Sequence, residues 1–258
     1  MATIAPPIQP SASLAASTFG IARRGLLKYL RTPQLVVLGT IQGALFLLIF
    51  RYVFGGAIGP DGGLDYVDFL VPGFITTGIL FSGMGAAAGV AEDLEQGLVD
   101  RLRSLPIPRS AVLVWGLLIT AAIGFAVGFR IHGSVADALA ALGLLVVFGF
   151  AFEWLFITLG LFAGNAQAAQ GMALLVFPLT FVSSAYVPVQ SMPGWLQAVA
   201  EHQPITVMVD AVRALTQGPA AAALLGHGGG FYVVRSLLWA AAIVVVFVPV
   251  AVARYRRG

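Results

Sequence analysis

The sequence predicts an all-α membrane protein with six transmembrane helices, and three observations carry that reading. The chain has 258 residues, 59% of them hydrophobic and 10% charged, with a mean hydropathy of +0.94. A soluble domain carries about 25% charged residues, so this chain cannot cover a water-facing surface, and lipid must solvate most of its exterior. Its apolar residues fall into runs of about 20, the length that crosses a bilayer core as a helix. Its basic residues sort to alternate loops. An ordinary cytosolic enzyme, a nucleic-acid binder and a disordered chain are excluded together. The pI near 9.6 does not point to nucleic acid, because the formal net charge is only +3 and membrane side accounts for the cations. Cysteine is absent, so no disulfide, thiolate nucleophile or cysteine metal site can form. His132, His202 and His227 lack metal-ligand spacing.

Residues 1–18 read as a disordered N-terminal tail and residues 19–258 as a single transmembrane domain. From Phe19 to Leu30, the apolar stripe of Phe19, Leu26, Leu27 and Leu30 lies beside Arg23, Arg24, Lys28 and Arg31. That pattern predicts an N-terminal interfacial helix with its cations toward anionic lipid. Arg23-Arg24 before an apolar run also resembles a twin-arginine export signal. Five further spans and the lack of a small-residue cleavage site argue against it. The spans are Thr32–Phe50, Phe69–Ala91, Ser110–Phe129, Ala138–Ala163, Gly171–Pro188 and Ser236–Ala253.

Six spans place both termini on one side of the membrane. That side holds Arg23, Arg24, Lys28, Arg31, Arg101, Arg103, Arg109, Arg254, Arg256 and Arg257. The opposite side holds Arg51, Arg130, Arg213 and Arg235, together with the acids Asp61, Asp65, Asp68, Glu201 and Asp210. The excess of cations predicts cytoplasmic termini.

Glu92 to Leu105, between spans two and three, is the densest charge cluster in the chain. Leu94, Leu98, Leu102 and Leu105 recur at helical spacing. Acids precede arginines, which suits the helix dipole, and Pro106 and Pro108 end the pattern. A short amphipathic helix on the cytoplasmic side follows. Taken alone, it is equally a solvated loop helix resting on headgroups.

On the other side, Met192–Val199 and Ile205–Leu215 are amphipathic, too short to span, and separated by prolines. Trp195 suits a membrane interface, and His202 reads as a turn residue facing water. Ser183 and Ser184 lack the Gly-x-Ser-x-Gly turn of a serine hydrolase, and small hydroxyls are ordinary packing residues in membranes.

Two stretches carry a resemblance. The first is Glu95-x-Gly97 followed by Arg101-Leu102-Arg103-Ser104-Leu105-Pro106. The second is Pro188, then Met192-Pro193-Gly194-Trp195-Leu196, Pro204, and the helix containing Asp210 and Arg213. Together they resemble the membrane (permease) subunits of ABC-2 type transporters, especially the daunorubicin-resistance-like bacterial exporter branch. The resemblance implies that the first stretch is a cytoplasmic coupling helix seated on an ATP-hydrolysing subunit, with Glu92, Glu95, Gly97, Asp100, Arg101 and Arg103 at the contact. It implies that the second is an outer re-entrant helical hairpin marked by Pro188, Pro193, Trp195, His202 and Pro204.

Glu153, in the apolar run of span four, costs a few kcal/mol at membrane depth unless it faces the protein interior or is protonated. It reads as a packing residue, as part of a substrate path, or as a proton relay in a secondary transporter. With Phe152, Ser183 and Ser184 it is a candidate for the translocation path. The aromatics from Phe148 to Phe156 are either packing or a wall for bulky apolar cargo. No Gly-x-x-x-x-Gly-Lys-Ser/Thr is present, so the P-loop ATPase must be a separate subunit. The chain itself is expected to bind no cofactor, with ATP and Mg on the partner. The resemblance further implies two ATPase copies, a second permease copy or a homologous permease, and residence in the bacterial inner membrane. The cargo would be a hydrophobic drug, natural product or lipid. Gly78, Gly83, Gly85 and Gly89 of span two are candidates for close helix contact between copies.

Overall fold

The computed structural model describes residues 45–55, 64–95, 124–126 and 128–257, which are helical and without strands among the described residues. The helices are α1 (Leu45–Phe54), α2 (Tyr66–Glu95), α3 (Val135–Phe162), α4 (Ala166–Leu174), α5 (Val176–Phe181), α6 (Gly194–Ala200), α7 (Pro204–Gln217), α8 (Pro219–Leu225) and α9 (Gly229–Arg257). Among the described residues, α2, α3 and α9 are long and apolar enough to cross a membrane.

Two of the three long helices start where polar side chains serve the free amides of the first turn. Asp65 accepts the Val67 N–H (3.0 Å) at the start of α2. Ser134 and Asp137 form a reciprocal capping box at the start of α3. That cap moves the start of span four from the expected Ala138 back to Val135. The last helix likewise begins before the expected Ser236, at Gly229.

The three long helices run in the same direction. Gly83 faces Phe156, and Gly160 faces Ala87 and Val90, so α2 and α3 advance together. Thr158 Oγ1 donates to the Phe247 carbonyl, and Arg254 lies over the Phe162 ring, so α3 and α9 do too. A Cβ on Gly160 would meet the Ala87 carbonyl oxygen at 2.5 Å. This contact is possible only for glycine. Phe148 and Phe156 fill the shared core.

The expected fifth span, Gly171–Pro188, is not one helix. It starts earlier, at Ala166, and breaks at Leu175 into α4 and α5. Pro178 has no N–H to give the Leu174 carbonyl, and its ring crowds that oxygen, so the helix gives way one turn earlier. The segment nevertheless runs the length of α2 in the opposite direction. Ala166 lies beside Glu95, Phe177 beside Phe81, and Ala185 against Gly73. From Glu95 to Gly73, α2 covers about 33 Å at about 1.5 Å per residue.

Candidate functional site

Where α2, α3, α7 and α9 meet, at the end where the long helices begin, polar groups are gathered in an otherwise apolar interior. Helix α7 places Asp210 and Arg213 three residues apart on one face. Pro204 at its first position supplies a fixed φ where no amide is needed. Nearly all of α7 is buried, and Arg213 is the largest fully buried side chain described, at 0% exposure. Its guanidinium donates to Asp210 Oδ1 (2.6 Å), to the Phe69 carbonyl from two nitrogens (3.2 and 2.9 Å) and to the Ser184 carbonyl (2.7 Å). It also lies 3.8 Å from the centre of the Phe69 ring. Asp210 Oδ1 accepts the Ser184 hydroxyl as well (2.7 Å), and Thr206 Oγ1 accepts the Ser184 N–H (3.2 Å).

One cation thus joins three pieces of chain: the first turn of α2, the turn after α5, and α7. A planar fork with several donors is suited to this, because it can serve two carbonyls and a carboxylate at once. The turn after α5 is fixed further. Tyr66 donates its hydroxyl to the Tyr186 carbonyl, and Tyr186 donates to Thr77. Gly73 is required where this turn meets α2, since a Cβ there would overlap the Ala185 carbonyl oxygen. Gln203, just before α7, donates to the Leu179 and Val182 carbonyls, which the broken fifth helix leaves free.

A second polar group adjoins the first. Buried Asp68 accepts the Arg130 N–H (2.9 Å), and Gln217 donates to the Arg130 carbonyl (3.1 Å). His132 Nδ1 lies 2.9 Å from Gln217 Oε1 and 3.9 Å from Asp68. Arg51 pairs with Asp65, and Arg235 lies over Phe231. All four cations assigned to this side by sequence do collect at one end. Asp210 and Arg213 are nevertheless not loop charges facing headgroups. They form a buried pair, and the i,i+3 spacing within an apolar helix is the one sequence signal for it.

At the opposite end, side chains serve the start of α4. Glu95 Oε2 accepts the Ala166 N–H at 3.4 Å, and Asn165 Oδ1 accepts the Ala168 N–H at 2.7 Å. Glu92 and Glu95 are both exposed. Gly97, Asp100, Arg101 and Arg103 lie outside the described residues, as do the residue 1–18 tail and the expected interfacial helix.

The other candidates fall as follows. Ser183 and Ser184 are buried, and Ser183 donates to the Thr180 carbonyl. Phe152 is buried against Phe148, with ring centres 4.5 Å apart. Glu153 is half-buried on α3. Its level on α2 is near Leu80, about 10 Å along the axis from Gly73 and the two serines, so these four do not form one cluster. Trp195 is 74% exposed on α6, and His202 is exposed in the turn before α7. Pro188 and Pro193 flank a short 3-10 turn, Val189–Ser191. Gly83 is taken up by Phe156 within the chain, whereas a Cβ placed on Gly78 or Gly85 would meet no described atom within 4 Å.

A family description, ABC-2 type transporter, matches residues 17–216. The chain belongs to the ABC-2 type transporter family. It is 30% identical over 246 residues to the daunorubicin resistance ABC transporter permease protein DrrB1 of Streptomyces coeruleorubidus, covering 90% of this chain and 83% of that one. It is 28% identical over 260 residues to a probable doxorubicin resistance ABC transporter permease protein, DrrC, of Mycobacterium tuberculosis, covering 94% and 89%. It is 26% identical over 197 residues to the inner membrane transport permease YadH of Escherichia coli, covering 70% and 74%. This ABC-2 chain is therefore a multi-pass membrane protein of the permease type. Both stretches that carry the resemblance fall inside the matched range.

Proposed function

We propose that the chain is the membrane-spanning subunit of an ATP-driven exporter that moves a hydrophobic drug, natural product or lipid out of the cytoplasm or inner leaflet. A separate ATPase subunit, in two copies, supplies the work, and a second permease copy or a homologue completes the path. The observation that carries this is the match to a daunorubicin resistance permease over 90% of the chain. The fold supports it. Helices α2, α3 and α9 point the same way, as second, fourth and sixth spans do, and the α4–α5 segment runs opposite to α2 as a fifth span does. The termini are cytoplasmic, and α6 and α7 form the hairpin at the outer leaflet. Helix α7 is held to the first turn of α2 by Arg213, so movement of span two is passed to the outer hairpin. The stretch from Glu92 to Leu105 docks on the ATPase.

The test is reconstitution. Vesicles holding the permease with its ATPase should accumulate daunorubicin on addition of ATP, and vesicles holding the permease alone should not. Charge reversal at Arg101 and Arg103 should weaken co-purification of the ATPase or uncouple hydrolysis from transport. ATPase-independent transport that collapses with the proton gradient and is lost in Glu153→Gln would instead establish a proton-coupled carrier.

A further inference from the structure

We infer that Arg235 and His227 hold the phosphate of an anionic membrane phospholipid, with its acyl chains laid along the exposed face of α9. The site is at the end where the long helices begin, so on the orientation proposed above it lies in the outer leaflet. Binding itself depends neither on that orientation nor on the ATPase.

The charges at this end call for a partner from outside the chain. Helix α2 carries Asp68 in its first turn and α3 carries Asp137, but the first turn of α9 holds no acid. Arg235 stands in its second turn instead, and His227 in the turn before it. Of the four cations gathered here, Arg51 pairs with Asp65 and Arg213 with Asp210. Arg130 donates to the carbonyls of Phe125 and Phe129. Among the described residues, no acid pairs with Arg235 or His227. Arg235 has the face of Phe231 in place of an acid, with its guanidinium carbon 5.2 Å from the ring centre. A ring face leaves the in-plane N–H donors of a guanidinium free, and their fork matches two oxygens of a phosphate.

The head of the site is held by the fold. Gly226 ends α8 in the left-handed region, at φ 72°. The Phe231 N–H donates to the Gly228 carbonyl, and the Tyr232 hydroxyl donates to the Leu225 carbonyl at 2.6 Å. These bonds fold the 225–228 turn onto α9. His227 then stacks on Phe231, with ring centres 4.3 Å apart and planes 16° from parallel. The imidazole and the guanidinium thus meet at one residue.

The rest of the site is apolar. The Arg235 side chain runs back one turn toward the helix start, as long helical side chains do. Leu238 and Val245, seven residues apart on the neighbouring stripe of α9, are 64% and 71% exposed. From Arg235 to Val245 the helix rises about 15 Å, half of a hydrocarbon core of about 30 Å. Trp239, one turn below Arg235, suits the boundary between head and tail. A free anion makes no use of such a track, whereas an anionic phospholipid fills both parts.

The test offers the purified chain in detergent dioleoyl-phosphatidylglycerol or dioleoyl-phosphatidylcholine and counts the lipid retained per chain by native mass spectrometry. The parent should retain phosphatidylglycerol over phosphatidylcholine, whose choline offsets its own phosphate. Arg235→Gln should cut retention of phosphatidylglycerol about fivefold, one basic residue's share of the attraction to anionic lipid. Arg235→Lys should keep most of it, and His227→Gln should lose about twofold. Arg51→Gln, whose cation already has an acid, should lose less than either. Excess inorganic phosphate should leave the lipid in place. A reading that needs no variant is the salt dependence of the parent, since raised ionic strength should release phosphatidylglycerol. Equal retention of both lipids by the parent, undiminished retention by Arg235→Gln, insensitivity to salt, or displacement by inorganic phosphate would each overturn the inference. Failure to bind any ATPase would sink the permease reading and leave this one standing.

Discussion

The two ends of the helix bundle are built on opposite principles. Where the long helices begin, a fully buried arginine, a buried aspartate, two serines, two tyrosines and several free carbonyls are joined in one network with short contacts. Where those helices end, Glu95 makes a long hydrogen bond to the start of α4 and Arg254 lies over the Phe162 ring. A polar network in a low-dielectric interior is expensive to leave half-made, so the first end resists piecemeal opening. At the second, the Glu95 hydrogen bond is long and exposed, so water competes for it.

Substitutions at three positions sharpen the contrast. Arg213→Ala should have the largest effect. It leaves Asp210 charged and buried, which destabilises by about 3–5 kcal/mol, and the yield of monodisperse protein and its Tm in detergent should both collapse. Arg213→Lys should recover little, because an ammonium cannot reproduce the fork. A wild-type-like Tm for Arg213→Ala would show that the network contributes nothing. Gly73→Ala comes next. Its methyl group would sit on the Ala185 oxygen, and forcing the turn away from α2 should cost about 1–3 kcal/mol, read as a lower thermal midpoint. Trp195→Ala should change stability by less than about 0.5 kcal/mol, because the ring is largely exposed. Its effect should appear in the depth of α6 in a bilayer, measured by quenching of tryptophan fluorescence with brominated lipid, in which Trp195 is expected to contribute.

The long helices are legible in the sequence because hydropathy acts over their whole length. The direction of α2, α3 and α9 also follows from counting crossings. Boundaries are less legible because they depend on single side chains. Ser134 and Asp137 move the start of α3 through a cap that hydropathy does not register, and Pro178 breaks the fifth span inside an apolar run that composition alone reads as continuous. The turn after α6 and the short helices α6 and α7 are visible in the proline spacing. The polar cluster is not, since charge counting assigns Asp210 and Arg213 to outer-side loops. The chain distance between Phe69, Ser184 and Arg213 explains why. Their meeting depends on three segments far apart in sequence, and no local pattern encodes it.

The common direction of α2, α3 and α9 has an electrostatic consequence. Each helix carries roughly half a positive elementary charge at its start and the opposite at its finish. Three aligned starts therefore create a standing positive field in a region where lipid screens poorly. Three acids answer it: Asp65 and Asp68 open α2, and Asp137 opens α3. At the negative finish stands Arg254. Residues that cap single amides thus also act, in this fold, as counterions to the summed charge of the backbone.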